Sequence, residues 1–293
     1  MDTMLTQQIV NGVMLGAIYV LIAVAFTLAI GVLNFLNFSI PGLFMVGGVG
    51  TWILLRYGVH WSLAIGGALL IAALVSLSVE RLSYRRSGGS NSEVPLVSSL
   101  GFLVVLENAA LVLVGSDQQA FPAVMPDFNI RVGSLVIGGA QIVSLVVVIG
   151  MVSWLSIFLQ KSKTGRQVRA VAENRETAIL LGVNVNKLVP RIFVFTALFT
   201  ALAGVLFAST YLQVNPFMGQ GIGFKGLAAM IIGGMGSIWG AVIGGLLIGL
   251  TEVLSVSFIG ADFANIAVYG LLLVLLIVRP NGLLGHAAVR EKL

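Results

Sequence analysis

The sequence predicts an all-α, polytopic membrane protein with about eight hydrophobic segments, some of them broken or re-entrant. Three observations carry this. Of the 293 residues, 58% are hydrophobic and 9% charged, with mean hydropathy +1.05. A soluble domain carries about 25% charged residues, so this chain cannot cover itself with a wettable surface. From Thr3 to Leu55 there is no charged side chain. That is room for two crossings at roughly 20 residues each. The apolar runs are long and continuous, whereas a barrel would show short alternating segments.

The apolar segments fall at Gln8–Ile30, Pro41–Leu55, Ser62–Val79, Pro95–Val114, Leu135–Leu159, Ile192–Tyr211, Leu227–Phe258 and Phe263–Val278. The break Tyr84–Ser92 (YRRSGGSNS) is basic and flexible in composition. Arg81, Arg85 and Arg86 place it in the cytoplasm, because Lys and Arg resist translocation. The break Gly115–Arg131, with two aspartates and two prolines, is expected outside. Counting back from Arg81 puts the N-terminus outside. The N-terminus has no basic region ahead of its apolar run, so the first segment is expected to stay as a membrane helix rather than be cleaved.

The basic island Lys161–Arg191 holds seven of the sixteen Lys and Arg residues, with Glu173 and Glu176 as its only acids. It is expected in the cytoplasm. Ala170–Leu181 suits a short amphipathic helix. Gly182 sits where a C-terminal cap is wanted, and Pro190 marks the next span. Such a helix could rest on headgroups or insert into a partner's groove.

Leu227–Phe258 exceeds one span and is broken by Gly233-Gly234-Met235-Gly236-Ser237. Arg279, Arg290 and Lys292 favour a cytoplasmic C-terminus. That parity requires a broken hairpin of two short helices here, against a re-entrant half-helix followed by one span. Gly236, Gly240 and Gly244 are spaced by four, as are Gly245 and Gly249, which suits close helix packing. The Gly-Gly-x-Gly-Ser cluster unwinds a helix instead, which makes Gly233, Gly234, Gly236 and Ser237 candidates for a pathway lining. An early string, MVGGVG at 45–50, echoes MIIGGMG at 230–236. Each follows a polar interruption: NFLNFSIPG at 34–42 and NPFMGQGIG at 215–223. Paired interruptions point to a transporter's central site. Asn34, Asn37, Ser39 and Pro41 are the candidates in the first.

Ionisable groups at membrane depth are functional candidates. Glu107, beside Asn108, is the foremost, either as an interhelical hydrogen-bond partner or on the pathway. Glu252 and Asp262 lie in or beside the long glycine-rich segment. Glu80 and Lys225 are expected to face headgroups. No catalytic residues emerge: there is no HExxH and no phosphate loop, and zero cysteines exclude thiolate chemistry. His60 and His286 lack nearby ligand partners, so no metal site is expected. The net charge of +5 follows segment ends, which fits orientation in a membrane and not nucleic acid.

The run GRQVRAVAENRETAILLGVNVNKLV at 165–189 resembles the cytoplasmic coupling loop of the LivH type of permease, from the branched-chain amino acid ABC importers. The opening at 11–42, LGFLVVLENAALVLVGSDQQAFP at 100–122, GFKGLAAMIIGGMGSIWGAVIGGLLIGLTE at 223–252 and the closing RPNGLLG are similar to the same family. Ser39-Ile40-Pro41-Gly42 departs from it, since typical members carry a small residue there. The resemblance implies one ABC importer permease domain over 1–293, with 161–191 as its coupling loop, in the bacterial inner membrane. It implies that Arg169, Glu173, Asn174, Ala178, Gly182 and Asn184 touch an ATPase. The implied partners are a second, homologous permease, two ATP-binding subunits and an external solute-binding protein. ATP and Mg would sit on the partners, with no cofactor on this chain. The implied cargo is a branched-chain amino acid or a related compound. Urea or short amides on the same architecture, and an ion-coupled secondary transporter, are the alternatives.

Overall fold

Glycine sets the architecture, because it decides which helices touch backbone to backbone. The computed structural model describes residues 2–86, 93–125, 128–133 and 135–285. The second half of the basic break, 87–92, and the tail bearing His286, Arg290 and Lys292 lie outside the described residues. Eight helices are long and apolar enough to cross a membrane. They are α1 (Asp2–Leu33), α2 (Ser39–Arg56), α3 (Trp61–Val79, prolonged by a π-helical turn Glu80–Tyr84), α4 (Glu93–Val114) and α5 (Gly139–Lys161). Two short helices follow, α6 (Lys163–Glu173) and α7 (Arg175–Leu180). The other spans are α8 (Val185–Tyr211), α10 (Ile238–Phe258) and α11 (Ala264–Val278, reaching span length with the 3-10 turn Ala261–Phe263 before it). A ten-residue helix, α9 (Phe224–Gly233), separates α8 from α10.

Helices α1, α2 and α8 are buried for most of their length and form the centre, while α3, α4, α5, α10 and α11 present much apolar surface outward. That outward surface is what lipid or another membrane chain must cover. The seam between α1 and α10 is antiparallel. A methyl added at Gly16 would lie 2.9 Å from Leu246 Cα, and one at Gly245 would lie 2.7 Å from the Val20 backbone. The other face of α10 brings Gly240 and Gly244 against Gly233 and Ala229 of α9. So the four-residue glycine spacings serve packing, on two faces. Gly236 is different: nothing lies near it, and its φ of +88° makes it a turn residue.

The polar stretch after α4 forms two small antiparallel ladders. Strands β2 (Asn129–Val132) and β3 (Leu135–Gly138) make a hairpin, and β1 (Gln119–Ala120) pairs with β4 (Gln213–Val214) after α8. Leu135–Gly138, expected to open a span, is therefore the hairpin's second strand. The Gln7 side chain of α1 bonds both the Val136 N–H and its carbonyl, so α1 begins beside this hairpin.

The glycine-broken segment differs from expectation in one arm. Only α9 is short; α10 is a full-length span of 21 residues. The break falls at Gly234–Ser237, where Gly234 and Gly236 have positive φ and the Ser237 side chain caps α10 through the Gly240 N–H. The hairpin parity stands. Helix α10 is antiparallel to α1, so its first turn lies at the end opposite the β2–β3 hairpin. The chain beyond α11 returns to that same end: Leu283 and Leu284 donate to the carbonyls of Ile232 and Gly233.

Candidate translocation site and coupling surface

The basic island folds as two helices where one was expected. Asn174 interrupts Ala170–Leu181 with extended backbone (φ −154°), and its side chain accepts from the Thr177 N–H at 2.8 Å to start α7. Helix α6 opens on Ser162, which accepts from Gly165 N–H at 2.8 Å. Gly165 lies against the Leu159 carbonyl, where no side chain fits. Arg169 donates to that same carbonyl. Val168, Val171 and Ala178 are buried and fix the island to the bundle. Gly182 ends α7 at φ +85°, and Asn184 caps α8 through the Lys187 N–H at 3.2 Å. Helix α8 thus begins at Val185, and Pro190 lies inside it.

The outer face of the island is exposed. Glu173 and Asn174 are uncovered, and Ile179, Leu180 and Leu181 are 51%, 87% and 77% exposed. Three consecutive exposed aliphatics beside charged groups make an interaction surface, open to a protein partner or to the membrane face. Inward, the Arg175 guanidinium lies 6.0 Å from the Tyr84 ring centroid. Tyr84 stacks on Phe35 at 5.8 Å and meets Phe193 at 6.2 Å. The island therefore reaches the α1–α2 connection through one aromatic ring.

That connection carries four of the pathway candidates. Asn34 ends α1 in left-handed backbone, φ +57°. Asn37 is buried, and its Oδ1 accepts from the Ser39 N–H and hydroxyl at 3.1 and 2.7 Å, a side-chain turn that leads into α2. Its Nδ2 has no partner among the described residues. The Phe38 N–H donates to Ser99 Oγ of α4 at 3.0 Å, which fixes α2's start at membrane depth.

The two polar interruptions meet in space. Residues 219–223 form a π-helical turn whose Gly219 and Gly223 close on Pro41 with no room for a side chain. Phe38 and Phe224 pair edge to face at 6.2 Å. Gln220, exposed at the molecular surface, donates to Glu107 Oε2 at 2.6 Å, while Glu107 Oε1 is buried without a partner. Glu107 lies seven residues inside the end of α4, ~10 Å at 1.5 Å per residue. Irregular backbone at that depth persists only where protein covers it or water lines it. Gln220 and Gly221 are uncovered in this chain, so this turn is the strongest lining candidate. The sequence signal was NPFMGQGIG; the glycines after it were weighed instead.

Gly233, Gly234, Gly236 and Ser237 stand apart from that cluster. Gly233 touches the Gly240 backbone, and Gly234 (φ +106°) touches Gly285 and Asn281 of the closing segment. Gly233 and Gly234 form a close-packed corner where α9 turns into α10, while Gly236 is exposed in that turn and Ser237 caps α10. Among the described residues no three carboxylate or imidazole side chains gather to hold a metal.

Lys225 does not face headgroups. It is buried, and its Nζ lies 2.6 Å from Glu252 Oε1, while the Tyr19 hydroxyl donates to Glu252 Oε2 at 2.6 Å. The pair ties α9, α10 and α1 together, with Lys225 two residues beyond the lining turn. Spacing could not reveal it, because 27 residues separate the partners. Glu80, also expected at headgroups, is buried at the inner end of α3.

The model of the family described as branched-chain amino acid transport system, permease component, matches residues 8–278. The chain belongs to that family. The high-affinity branched-chain amino acid permease protein BraD of Pseudomonas aeruginosa is 32% identical over 97% of each chain. LivH of Escherichia coli K12, a permease of the same description, is 34% identical over 97% of each. The chain is thus a multi-pass permease component of the inner membrane. The structure of PsaBC from Streptococcus pneumoniae in complex with Fab has a similar fold, with TM-score 0.50 and 12% identity over 94% of this permease and 92% of that chain.

Proposed function

We propose that this permease forms half of an ATP-driven importer for branched-chain amino acids or closely related compounds. A second, homologous permease completes the pathway. Two ATP-binding subunits, holding ATP and Mg, dock on the island, and an external binding protein delivers the cargo. The observation that carries this is the family match across 8–278, joined to an exposed aliphatic surface on α7. Glu173, Asn174, Ala178, Gly182 and Asn184 shape that surface, and Arg169 anchors it. The π-turn 219–223, Asn37, Ser39, Pro41 and Glu107 line the path. ATPase closure would push α7, and the bundle would rotate as rigid bodies. Among the described residues the membrane carboxylates Glu107 and Glu252 are engaged by Gln220 and by Lys225 and Tyr19, which disfavours a secondary transporter.

The test is purification of the native assembly in mild detergent, then leucine uptake in proteoliposomes with the binding protein. A second permease and two phosphate-loop chains should co-elute, and uptake should require ATP. Uptake by this chain alone under an ion gradient would overturn the proposal.

A further inference from the structure

We propose that a groove between α3, α5 and α8 holds one anionic phospholipid of the cytoplasmic leaflet. A cavity of about 410 Å³ opens there, walled by Leu77, Phe158, Val194 and Phe195, with Pro190, Thr164 and Arg191 at its rim. Cavities of roughly 300–1,000 Å³ are the usual size for small ligands. The walls are apolar and lie within the transmembrane spans, so the occupant carries hydrocarbon. Phe158 and Phe195 pack at 5.3 Å between ring centroids, and Trp154 stacks on Phe158 at 5.2 Å, giving the groove a rigid aromatic side.

The rim is cationic by helical spacing. Lys187, Arg191 and Phe195 follow at intervals of four on α8, so one face reads basic, basic, apolar from the cytoplasmic end upward. Lys161 follows Phe158 by three on α5, in the same order. Lys161, Lys187 and Arg191 are all exposed. The single ion pair among the described residues is Lys225–Glu252, so no carboxylate neutralises Arg191. An apolar slot capped by unpaired cations at the cytoplasmic boundary matches a phosphate head with an acyl chain above it. Basic pockets between transmembrane helices on this side take anionic lipid heads. A water-soluble partner docked on α6 and α7 would not reach walls at this depth.

Native mass spectrometry of the full chain tests this, after detergent release in equimolar phosphatidylglycerol and phosphatidylcholine. The unmodified chain should keep one phosphatidylglycerol, preferred about fivefold per cation near the head. Arg191→Gln, an exposed change that should not disturb folding, should bring that preference down by about fivefold. Val194→Trp, which fills the groove, should remove the retained lipid altogether. Arg131→Gln, on the β2 strand at the other end, should leave the preference intact. The proposal is overturned if Arg191→Gln keeps the full preference, if Arg131→Gln lowers it equally, or if the unmodified chain shows none.

Discussion

Lys225 and Glu252 form the one ion pair among the described residues, and the value of each depends on the other. Their side chains are only 10% and 15% exposed. Removing one partner of such a pair leaves a stranded charge, a loss of about 3–5 kcal/mol, whereas removing both charges is far milder. Lys225→Met should therefore lower the unfolding temperature in detergent markedly. Lys225→Met with Glu252→Gln should recover most of the loss, since Gln still accepts from Tyr19. Equal losses in the two variants would mean that the pair is not coupled as described. Glu107 makes a different prediction. Glu107→Gln should keep the hydrogen bond from Gln220 and the unfolding temperature, yet cut ATP-driven uptake about tenfold, the scale of one lost charge-assisted contact. Unchanged uptake would leave Glu107 as a strut between α4 and the π-turn.

At the scale of elements, the coupling loop is built from caps, and each cap can be removed singly. Asn174→Ala should cost α7 about 1 kcal/mol and loosen ATPase association. Gly182→Ala should cost about 1–2 kcal/mol, because the native φ is one that a β-carbon disfavours. Retention of ATPase subunits during purification reads out both, and full retention in both variants would deny these caps a docking role. The caps were legible as residue types: Gly182 and the island's helical composition stand in the sequence. The split at Asn174 was not, because Asn is merely a weak helix former until its side chain finds the Thr177 N–H. The same reason hid the true start of α8. Pro190 looked like a boundary, but Asn184 supplies a stronger one. Hydrophobic runs located α2, α3, α4 and α11 to within two residues, but they began α1 and α8 too late and merged α9 with α10; Lys225–Glu252 depends on a tertiary approach that no local period encodes. The meeting of the two polar interruptions was foreshadowed only by their similar spelling.

For the molecule as a whole, topology follows from the α1–α10 antiparallel seam and the closing segment. The chain has no cysteine, so single-cysteine labelling is clean. Met235→Cys, in the exposed turn between α9 and α10, should react only from the cytoplasm. Ile259→Cys, just past the far end of α10, should react only from outside. Labelling of Met235→Cys from outside would reverse the parity of the last three segments. The seam also bears on motion. Where bulky side chains mesh, two helices can slip from one set of notches to the next. Here glycine faces backbone on both helices, and one turn of slippage would force Leu246 or Leu250 into a main chain that has no notch for it. The two helices behave as a keyed shaft: free to tilt together, barred from sliding. In any alternation of this permease, α1 and α10 therefore travel as one unit.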